Sequence, residues 1–341
     1  MGVAETTLLI AVSLTSMVIL GATFLMNVRA ITMELPPVIS SCLSPMNISS
    51  SLRWKEEMSY GEPLHNVSAF CQEGGLICDQ DIETPPVILY RFSRYRMNSI
   101  HPAASMHDKR LFFNESELSV GNTMELPDQE PHIPTRAFLP PTLEPLLFNS
   151  SGSRLSHVLH VFGFEPYSHL AQSMNDTLEL CNHSSMEGET RTCVATFEDM
   201  LAFAMSLTGS YNFSILAGDV LQPQGIVKVL DLQEMTNEGQ SASIACHNAM
   251  FPFQVFYCHY IRGTKVFNVT LEIETTNEII MAIASCHPRV RIPLEEFHVP
   301  KIQNELLCHW NFGDNIVWVP QQSILTQSSH TDSFLISQTT S

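Results

Sequence analysis

The sequence predicts an α+β fold in which a helical hairpin packs on a mainly antiparallel β-sheet. Apolar residues recur at three- and four-residue steps over 168–181 and again over about 197–208, as the buried face of a helix requires. From about residue 215 onward, apolar and polar residues alternate with the two-residue period of strands. Cys181 and Cys193 flank the turn of the predicted hairpin, which indicates a disulfide-stapled fold.

Composition and charge exclude several classes of function. The 341 residues are 44% hydrophobic and 15% charged, so the chain can bury a sizeable core. The formal net charge is −18. That charge predicts no nucleic-acid partner, because binding to phosphates requires basic side chains that neutralise them. It also disfavours electrostatic docking on anionic membranes.

The first 30 residues predict a secretory signal peptide. Leu8 to Leu25 is a mostly apolar run, and Val28-Arg29-Ala30 resembles a small-residue cleavage site. No Lys or Arg precedes the run, and Glu5 is negative, so a signal anchor that stays in the membrane is the alternative. After cleavage near Ala30 we expect no membrane association.

Eight Asn-X-Ser/Thr sequons support entry into the secretory pathway, since so many acceptor sites are typical of a glycosylated surface. The predicted glycosylation sites are Asn47, Asn66, Asn114, Asn149, Asn175, Asn182, Asn212 and Asn268. In that oxidising compartment, the nine cysteines are expected to form disulfides rather than to stay reduced.

Three segments follow the signal. Residues 31–108 show no sustained period and many Pro, Ser and Asn residues, which predicts a variable, loosely structured spacer. Its three cysteines, Cys42, Cys71 and Cys78, are expected to form one local disulfide link. Near residue 109 the sequence changes character, with the apolar cluster at 111–113, and we place a domain at 109–320. Residues 321–341 are a Ser/Thr-rich tail that should be frayed.

The second predicted helix has clear sequence signals at both ends. Thr196 and Asp199 resemble a capping box, and Gly209 can end the helix. Cys181 lies at the end of the first helix and Cys193 just before the second, so we predict a disulfide between them. Closing that loop would stabilise the fold by about 2–3 kcal/mol through the unfolded state.

Strand candidates fill the second half of the chain. They are Ile226 to Leu232, Ser243 to His247, Phe253 to Tyr260, Val266 to Glu274 and Ile279 to His287. In the fourth of them, Phe267, Val269, Leu271 and Ile273 share one face, and the sequon Asn268 falls on the polar face.

Four adjacent Cys-His pairs stand out among nine Cys and 14 His residues. The pairs are Cys246-His247, Cys258-His259, Cys286-His287 and Cys308-His309. They are separated by 10, 26 and 20 residues, and eight more residues lead to Trp318. In a chain of 341 residues with nine Cys and 14 His, four such pairs would very rarely arise by chance.

Neighbouring residues on a strand point to opposite faces, so one metal cannot take both Cys258 and His259 while the strand stays regular. We interpret the pairs as a division of labour, in which the cysteines bridge to each other and the histidines project from the other side. Nitrogen ligands suit Cu(II) or Zn(II), and copper can exchange electrons with oxygen. The alternatives are histidines without a metal and a mixed Cys/His zinc site. Three pairings of these four cysteines are open.

These motifs together resemble the BURP domain, a plant family with four Cys-His pairs followed by a Trp. Phe112-Phe113 resembles the paired phenylalanines that open the domain. The stretches 174–181 and 188–193 resemble the two cysteine blocks of the family, and 318–320 resembles its end. The first two Cys-His pairs stand at the family's ten-residue spacing. The interval from His287 to Cys308 is shorter than in the family.

The resemblance implies a BURP-type fold and a plant protein secreted to the apoplast, cell wall or vacuolar system, with a role in development or stress. Family members include a polygalacturonase non-catalytic subunit. Others are copper-dependent autocyclases that crosslink a Trp or Tyr of their own chain. Carried over to this chain, the resemblance implies copper ligands at His247, His259, His287 and His309. It places disulfide cysteines at Cys246, Cys258, Cys286 and Cys308, beside the Cys181 and Cys193 pair.

The expected function is therefore that of a structural or regulatory wall factor with a copper site and no enzymatic activity. Its expected partner is a cell-wall polysaccharide or a wall protein. The alternative is a copper-dependent peptide cyclase. Its aromatic acceptors would be Trp54, Tyr60, Tyr90 and Tyr95, and none of these lies in a repeated unit.

Overall fold

The computed structural model describes residues 7–10, 31–82, 112–126, 133–148, 155–210, 212–219, 225–236, 243–288 and 305–321. Their strands pair antiparallel in every sheet, helices pack against the sheets, and four disulfides link the chain. The predicted α+β, disulfide-stapled class is confirmed.

The helices of the described residues are α1 (Pro37–Ser40), α2 (Ile48–Ser59), α3 (Val67–Gly74), α4 (Glu144–Leu147), α5 (Leu155–Phe162), α6 (His169–Asn182) and α7 (Phe197–Thr208). The strands are β1 (Thr7–Ile10), β2 (Ile31–Glu34), β3 (Phe113–Asn114), β4 (Thr123–Leu126), β5 (Glu189–Val194), β6 (Phe213–Ala217), β7 (Gly225–Glu234), β8 (Ile244–Ala249), β9 (Val255–Ile261), β10 (Lys265–Ile273), β11 (Glu278–His287), β12 (Leu307–Asn311) and β13 (Ile316–Pro320).

Two antiparallel sheets face each other. The six-stranded sheet has the order β3-β12-β11-β10-β7-β4, and the five-stranded sheet has the order β5-β9-β8-β13-β6. Ala245, Val317 and Val319 of the five-stranded sheet form one buried cluster with Val266 and Ile283 of the six-stranded sheet. We call the faces that meet there the inner faces. Strands β1 and β2 form a separate pair.

The outer face of the six-stranded sheet confirms the predicted alternation along β10. Phe267, Val269, Leu271 and Ile273 all belong to one buried cluster, together with Trp310 of β12. Side chains on a strand alternate between its two faces, so Asn268 lies on the opposite side, where it is half-buried.

Helices α6 and α7 begin and end close to the predicted positions. Thr196 caps α7 by accepting a hydrogen bond from the Asp199 N–H at 3.0 Å, and Gly209 ends the helix with a φ of 64°. Both ends therefore lie where the sequence predicted them. Thr196 satisfies a free N–H at the start of the helix, and Gly209 adopts the left-handed conformation that ends it.

The two helices do not, however, form the predicted hairpin, because β5 lies between them and pairs with β9. Leu170 of α6 packs in a cluster with Val255, whereas Met200 of α7 packs in a cluster with Phe256. Val255 and Phe256 are neighbours on β9 and point to opposite faces. The helices therefore cover opposite faces of the five-stranded sheet, and the Cys181–Cys193 disulfide links α6 to β5.

The expectation of a loosely structured spacer is wrong for the described part of 31–108. Trp54 of α2 and Phe70 of α3 are 4% and 0% exposed and pack with Phe162 of α5. The Asn47 and Asn66 side chains cap α2 and α3, so these polar residues begin helices instead of marking irregular chain. The local link joins Cys71 to Cys78, and Cys42 is free and buried. Residues 83–111 lie outside the described part.

The predicted glycosylation sites differ in exposure. Asn47, Asn66, Asn182 and Asn212 are exposed, and Asn175 and Asn268 are half-buried. Asn149 lies outside the described residues. Asn114 corrects the prediction, because it lies in β3 with 3% exposure, and a glycan on it is incompatible with that burial.

The predicted signal peptide and tail stay predictions. Residues 1–6, 11–30 and 322–341 lie outside the described part, as do most residues of the apolar run. None of the helices in the described part is long and apolar enough to cross a bilayer.

Candidate metal centre

Two disulfides link directly opposite residues of neighbouring strands. Cys246 of β8 faces and bonds to Cys258 of β9, with their Cα atoms 4.0 Å apart. Cys286 of β11 faces and bonds to Cys308 of β12, with their Cα atoms 3.9 Å apart. The structure therefore has one of the three open pairings. All four cysteines are fully buried in the outer-face clusters.

The residue after each of these cysteines points to the inner face, because side chains alternate along a strand. His247 and His259 extend from the five-stranded sheet, and His287 and His309 extend from the six-stranded sheet. The four imidazole rings meet between the sheets and form what we call the histidine cluster. The alternation predicted from the sequence thus separates the sulfur atoms from the imidazoles.

Nitrogen atoms of the cluster lie at distances that suit one bound ion. The Nε2 atoms of His247 and His259 are 3.3 Å apart, and those of His287 and His309 are 3.0 Å apart. Two nitrogens bound to one Zn²⁺ at tetrahedral geometry would be about 3.3 Å apart. His247, His259 and His309 each place a nitrogen within 4.8 Å of the other two. His287 does not belong to that group of three, but its Nε2 lies 3.0 Å from the Nε2 of His309.

Hydrogen bonds fix the tautomers of two of these rings. Thr264 Oγ1 donates its proton to the Ile261 carbonyl at 2.6 Å, so it can only accept from His287 Nδ1 at 2.7 Å. The Trp310 carbonyl accepts from His309 Nδ1 at 3.3 Å. With the proton on Nδ1 in each ring, both Nε2 atoms present lone pairs to each other. A cation placed between them would accept both lone pairs.

The environment also keeps three of the imidazoles neutral, those of His247, His287 and His309. Burial, together with the charges of the neighbouring imidazoles, lowers the pKa of His247 and of His287 well below the usual value. Burial and the charge of His259 lower the pKa of His309 to about 3, against a smaller opposing effect of its bond to the Trp310 carbonyl. Neutral rings are the form that binds metals, so the cluster is prepared for an ion at neutral pH.

Other side chains border the cluster. The Tyr257 ring lies 5.7 Å from the His259 ring, and its hydroxyl donates to Glu189 Oε1 at 3.0 Å. Tyr257 is a buried member of the core. The Phe112 ring meets the His309 ring edge-on with their centroids 6.1 Å apart. The shortened interval after His287 does not prevent His287 and His309 from meeting, and residues 289–304 lie outside the described part.

Sequence reasoning missed two residues of this site, Thr264 and Glu189. Thr264 lies in the turn between β9 and β10, and Glu189 is the first residue of β5. Glu189 lies within the stretch 188–193 that resembles a cysteine block of the family, but that resemblance gave it no role, and no motif marks Thr264. The alternation of Glu189, Arg191 and Cys193 along β5 was the available signal, because it places the Glu on the same face as the cluster.

A histidine cluster backed by cross-strand disulfides, between two antiparallel sheets, defines this chain as a candidate metal-binding β-sandwich. The sequence pattern of the BURP domain family matches residues 111–320, well over half of the chain. The chain therefore belongs to the BURP domain family.

Its relatives are plant proteins. BURP domain-containing protein 16 of Oryza sativa subsp. japonica is 27% identical over 304 residues, which cover 83% of this chain and 84% of that protein. Polygalacturonase-1 non-catalytic subunit beta of Solanum lycopersicum is 26% identical over 216 residues, 61% of this chain. Polygalacturonase 1 beta-like protein 2 of Arabidopsis thaliana is 26% identical over 238 residues, 67% of this chain. The matches span 34% and 38% of the lengths of these last two proteins.

Proposed function

We propose that this protein is a secreted, non-catalytic factor of the plant cell wall that holds one copper ion in its histidine cluster. The observation that carries the copper site is the convergence of four imidazoles from two sheets. Among them, the Nε2 lone pairs of His287 and His309 face each other at 3.0 Å. A cation would remove that repulsion, and His247, His259 and His309 each place a nitrogen within 4.8 Å of the other two for it to bind.

The donor set fits copper. Because the four cysteines of the Cys-His pairs are in disulfides, no thiolate of these pairs competes, and the ligands are nitrogens. Such a set suits Cu(II) or Zn(II). Bound copper would supply one-electron exchange with dioxygen. The chain itself holds the rings in place through the disulfides and through Thr264, which orients His287.

The proposed role in the wall is supported by relatives named as polygalacturonase non-catalytic subunits. In this proposal the chain associates with a wall enzyme or a wall polymer, in the apoplast or the vacuolar system. The net charge of −18 favours a protein partner over an acidic polysaccharide, because like charges repel. Co-elution of the purified protein with a polygalacturonase of the same plant tests this partner, and separate elution at micromolar concentrations contradicts it.

Replacing His247 and His259 together with Ala should lower copper affinity by more than about 100-fold. Loss of a residue that merely orients a ligand costs about 10–100-fold, and this variant removes two ligands. The measurement is metal content after equilibrium dialysis, together with competition against a coloured chelator. The matched control replaces the exposed His65 and His160, which lie outside the cluster. Equal copper content in the cluster variant and this control, or a wild type that binds none, contradicts the proposed site.

The second candidate function, a copper-dependent cyclase acting on its own chain, would use the same nitrogen ligands. Trp54 is 4% exposed and its Nε1 donates to Glu73, so this acceptor is built into the fold. Tyr60 is 72% exposed, and Tyr90 and Tyr95 lie outside the described residues. A crosslink would remove two hydrogen masses from the copper-loaded protein under oxygen. An unchanged mass favours the non-catalytic role.

A further inference from the structure

One nitrogen of the histidine cluster stands apart from the others. His259 Nδ1 is buried and has no hydrogen-bond partner within 3.5 Å and suitable geometry among the described residues. The nearby acceptor is Glu189 Oε1, at 3.5 Å. The corresponding nitrogens of His287 and His309 already have neutral partners, Thr264 and the Trp310 carbonyl. His259 is thus a ring of the cluster that faces a carboxylate.

Glu189 is held firmly in this position. Its Oε1 accepts from the Tyr257 hydroxyl at 3.0 Å, and its Oε2 accepts from the Met186 N–H at 2.9 Å. The side chain is 2% exposed. A buried carboxylate is costly unless charges or hydrogen bonds offset the loss of water. Two neutral donors offset part of that cost, and a positive charge near the cluster would offset more.

The strand register explains why Glu189 reaches His259. Residues 189 and 191 of β5 face residues 261 and 259 of β9. Residues at these alternate positions lie on one face of the sheet, so the carboxylate is a diagonal neighbour of the imidazole. The arrangement is therefore set by the backbone of two paired strands and does not depend on a mobile loop.

We infer that Glu189 is a positioning residue for the metal, whose carboxylate takes the Nδ1–H of His259 and so turns the Nε2 lone pair toward the centre of the cluster. This inference rests on the proposed copper site. A histidine that binds a metal usually donates its other N–H to a carboxylate, carbonyl or water, and that partner fixes the tautomer and raises the basicity of the ligand. A carboxylate adds a negative charge, which attracts a cation strongly where water is excluded.

Glu189→Gln tests the charge while keeping the size of the side chain. We expect it to weaken Cu(II) binding about 10–100-fold and to change the Cu(II) hyperfine pattern in electron paramagnetic resonance spectra. The matched control is Glu198→Gln, which removes the same charge from an exposed position on α7. Affinity and spectrum equal to those of Glu198→Gln would overturn the inference.

A readout on the metal-free protein separates this inference from the copper site. In nitrogen NMR spectra of the histidine rings, wild-type His259 should carry its proton on Nδ1, and Glu189→Gln should increase the Nε2–H form. An unchanged tautomer overturns the role of Glu189 even if copper binds. A wild type that binds no copper removes the copper site, while the tautomer result still stands. If Glu189→Gln does not fold, Glu189→Asp is the substitute, because it keeps the charge but moves the carboxylate away from His259 by one methylene length. Wild-type copper affinity in Glu189→Asp overturns the inference.

Discussion

Replacing Arg136 with Met is expected to destabilise the fold by about 3–5 kcal/mol, because each buried acceptor that loses its donor costs about 1–3 kcal/mol. The guanidinium is 1% exposed, and it donates to the carbonyls of Phe251, Phe253 and Ala249 and to the Asn248 side chain. Burial lowers the pKa of Arg136 to about 10, so the group remains charged at neutral pH. Met fills similar space but leaves all of these acceptors without this donor.

The measurement is urea denaturation followed by circular dichroism, with the midpoint compared between variants. Arg53→Met is the matched control, because Arg53 is exposed and its ion pair with Glu73 lies at the surface. We expect Arg53→Met to leave the urea midpoint nearly unchanged. The segment held by Arg136 connects β8 to β9, the strands that carry His247 and His259. An Arg136→Met midpoint equal to that of the control would contradict a structural role for this guanidinium.

Removing the Cys286–Cys308 disulfide by a double Ala substitution is expected to destabilise the fold by about 3 kcal/mol. The bond links residues 22 apart in sequence, and freeing that loop raises the entropy of the unfolded chain. Copper affinity should fall as well, because the same bond holds the two strands that carry His287 and His309.

The control for this effect is the Cys71–Cys78 disulfide, whose residues are seven apart and lie in the α3 region. Its removal should cost about 2 kcal/mol and leave copper affinity unchanged. Stability comes from urea denaturation, and affinity comes from chelator competition on the folded protein. If both double variants bind copper as tightly as wild type, the disulfide does not support the cluster.

Local physics explains what the sequence could predict. The period of 3.6 residues in 168–181 and 197–208 gives α6 and α7, and the period of two gives β7 to β11. The same period of two separates sulfur from imidazole on any strand that carries a Cys-His pair. These features depend on neighbours in the chain, so they are visible without coordinates.

The contacts between distant segments could not be predicted. The two sheets meet at a buried cluster that includes Ala245 and Ile283, and no local sequence pattern predicts that these residues share a cluster. Trp54 and Phe70 belong to the core because they pack in one cluster with residues of α5 and α6. Their neighbours in the sequence are mostly polar, so the sequence alone did not predict this burial. Glu189 reaches the histidine cluster because of the register of β5 with β9, and Thr264 reaches it from the turn between β9 and β10. The convergence of the four histidines is itself a contact between two sheets, so the sequence could imply it only through the family resemblance.

The fully buried sulfur atoms of the two cross-strand disulfides also decide how the protein should respond to dithiothreitol. A thiol reagent must reach a sulfur to cleave the bond, and Cys246, Cys258, Cys286 and Cys308 are 0% exposed. Cys181, by contrast, is half-buried. Cleavage of the two inaccessible bonds therefore reports how often the whole domain opens, and attack at Cys181 reports local motion. The rate at which these buried disulfides are cleaved therefore measures how often the domain unfolds. Alkylation of the freed thiols followed by mass analysis gives that rate.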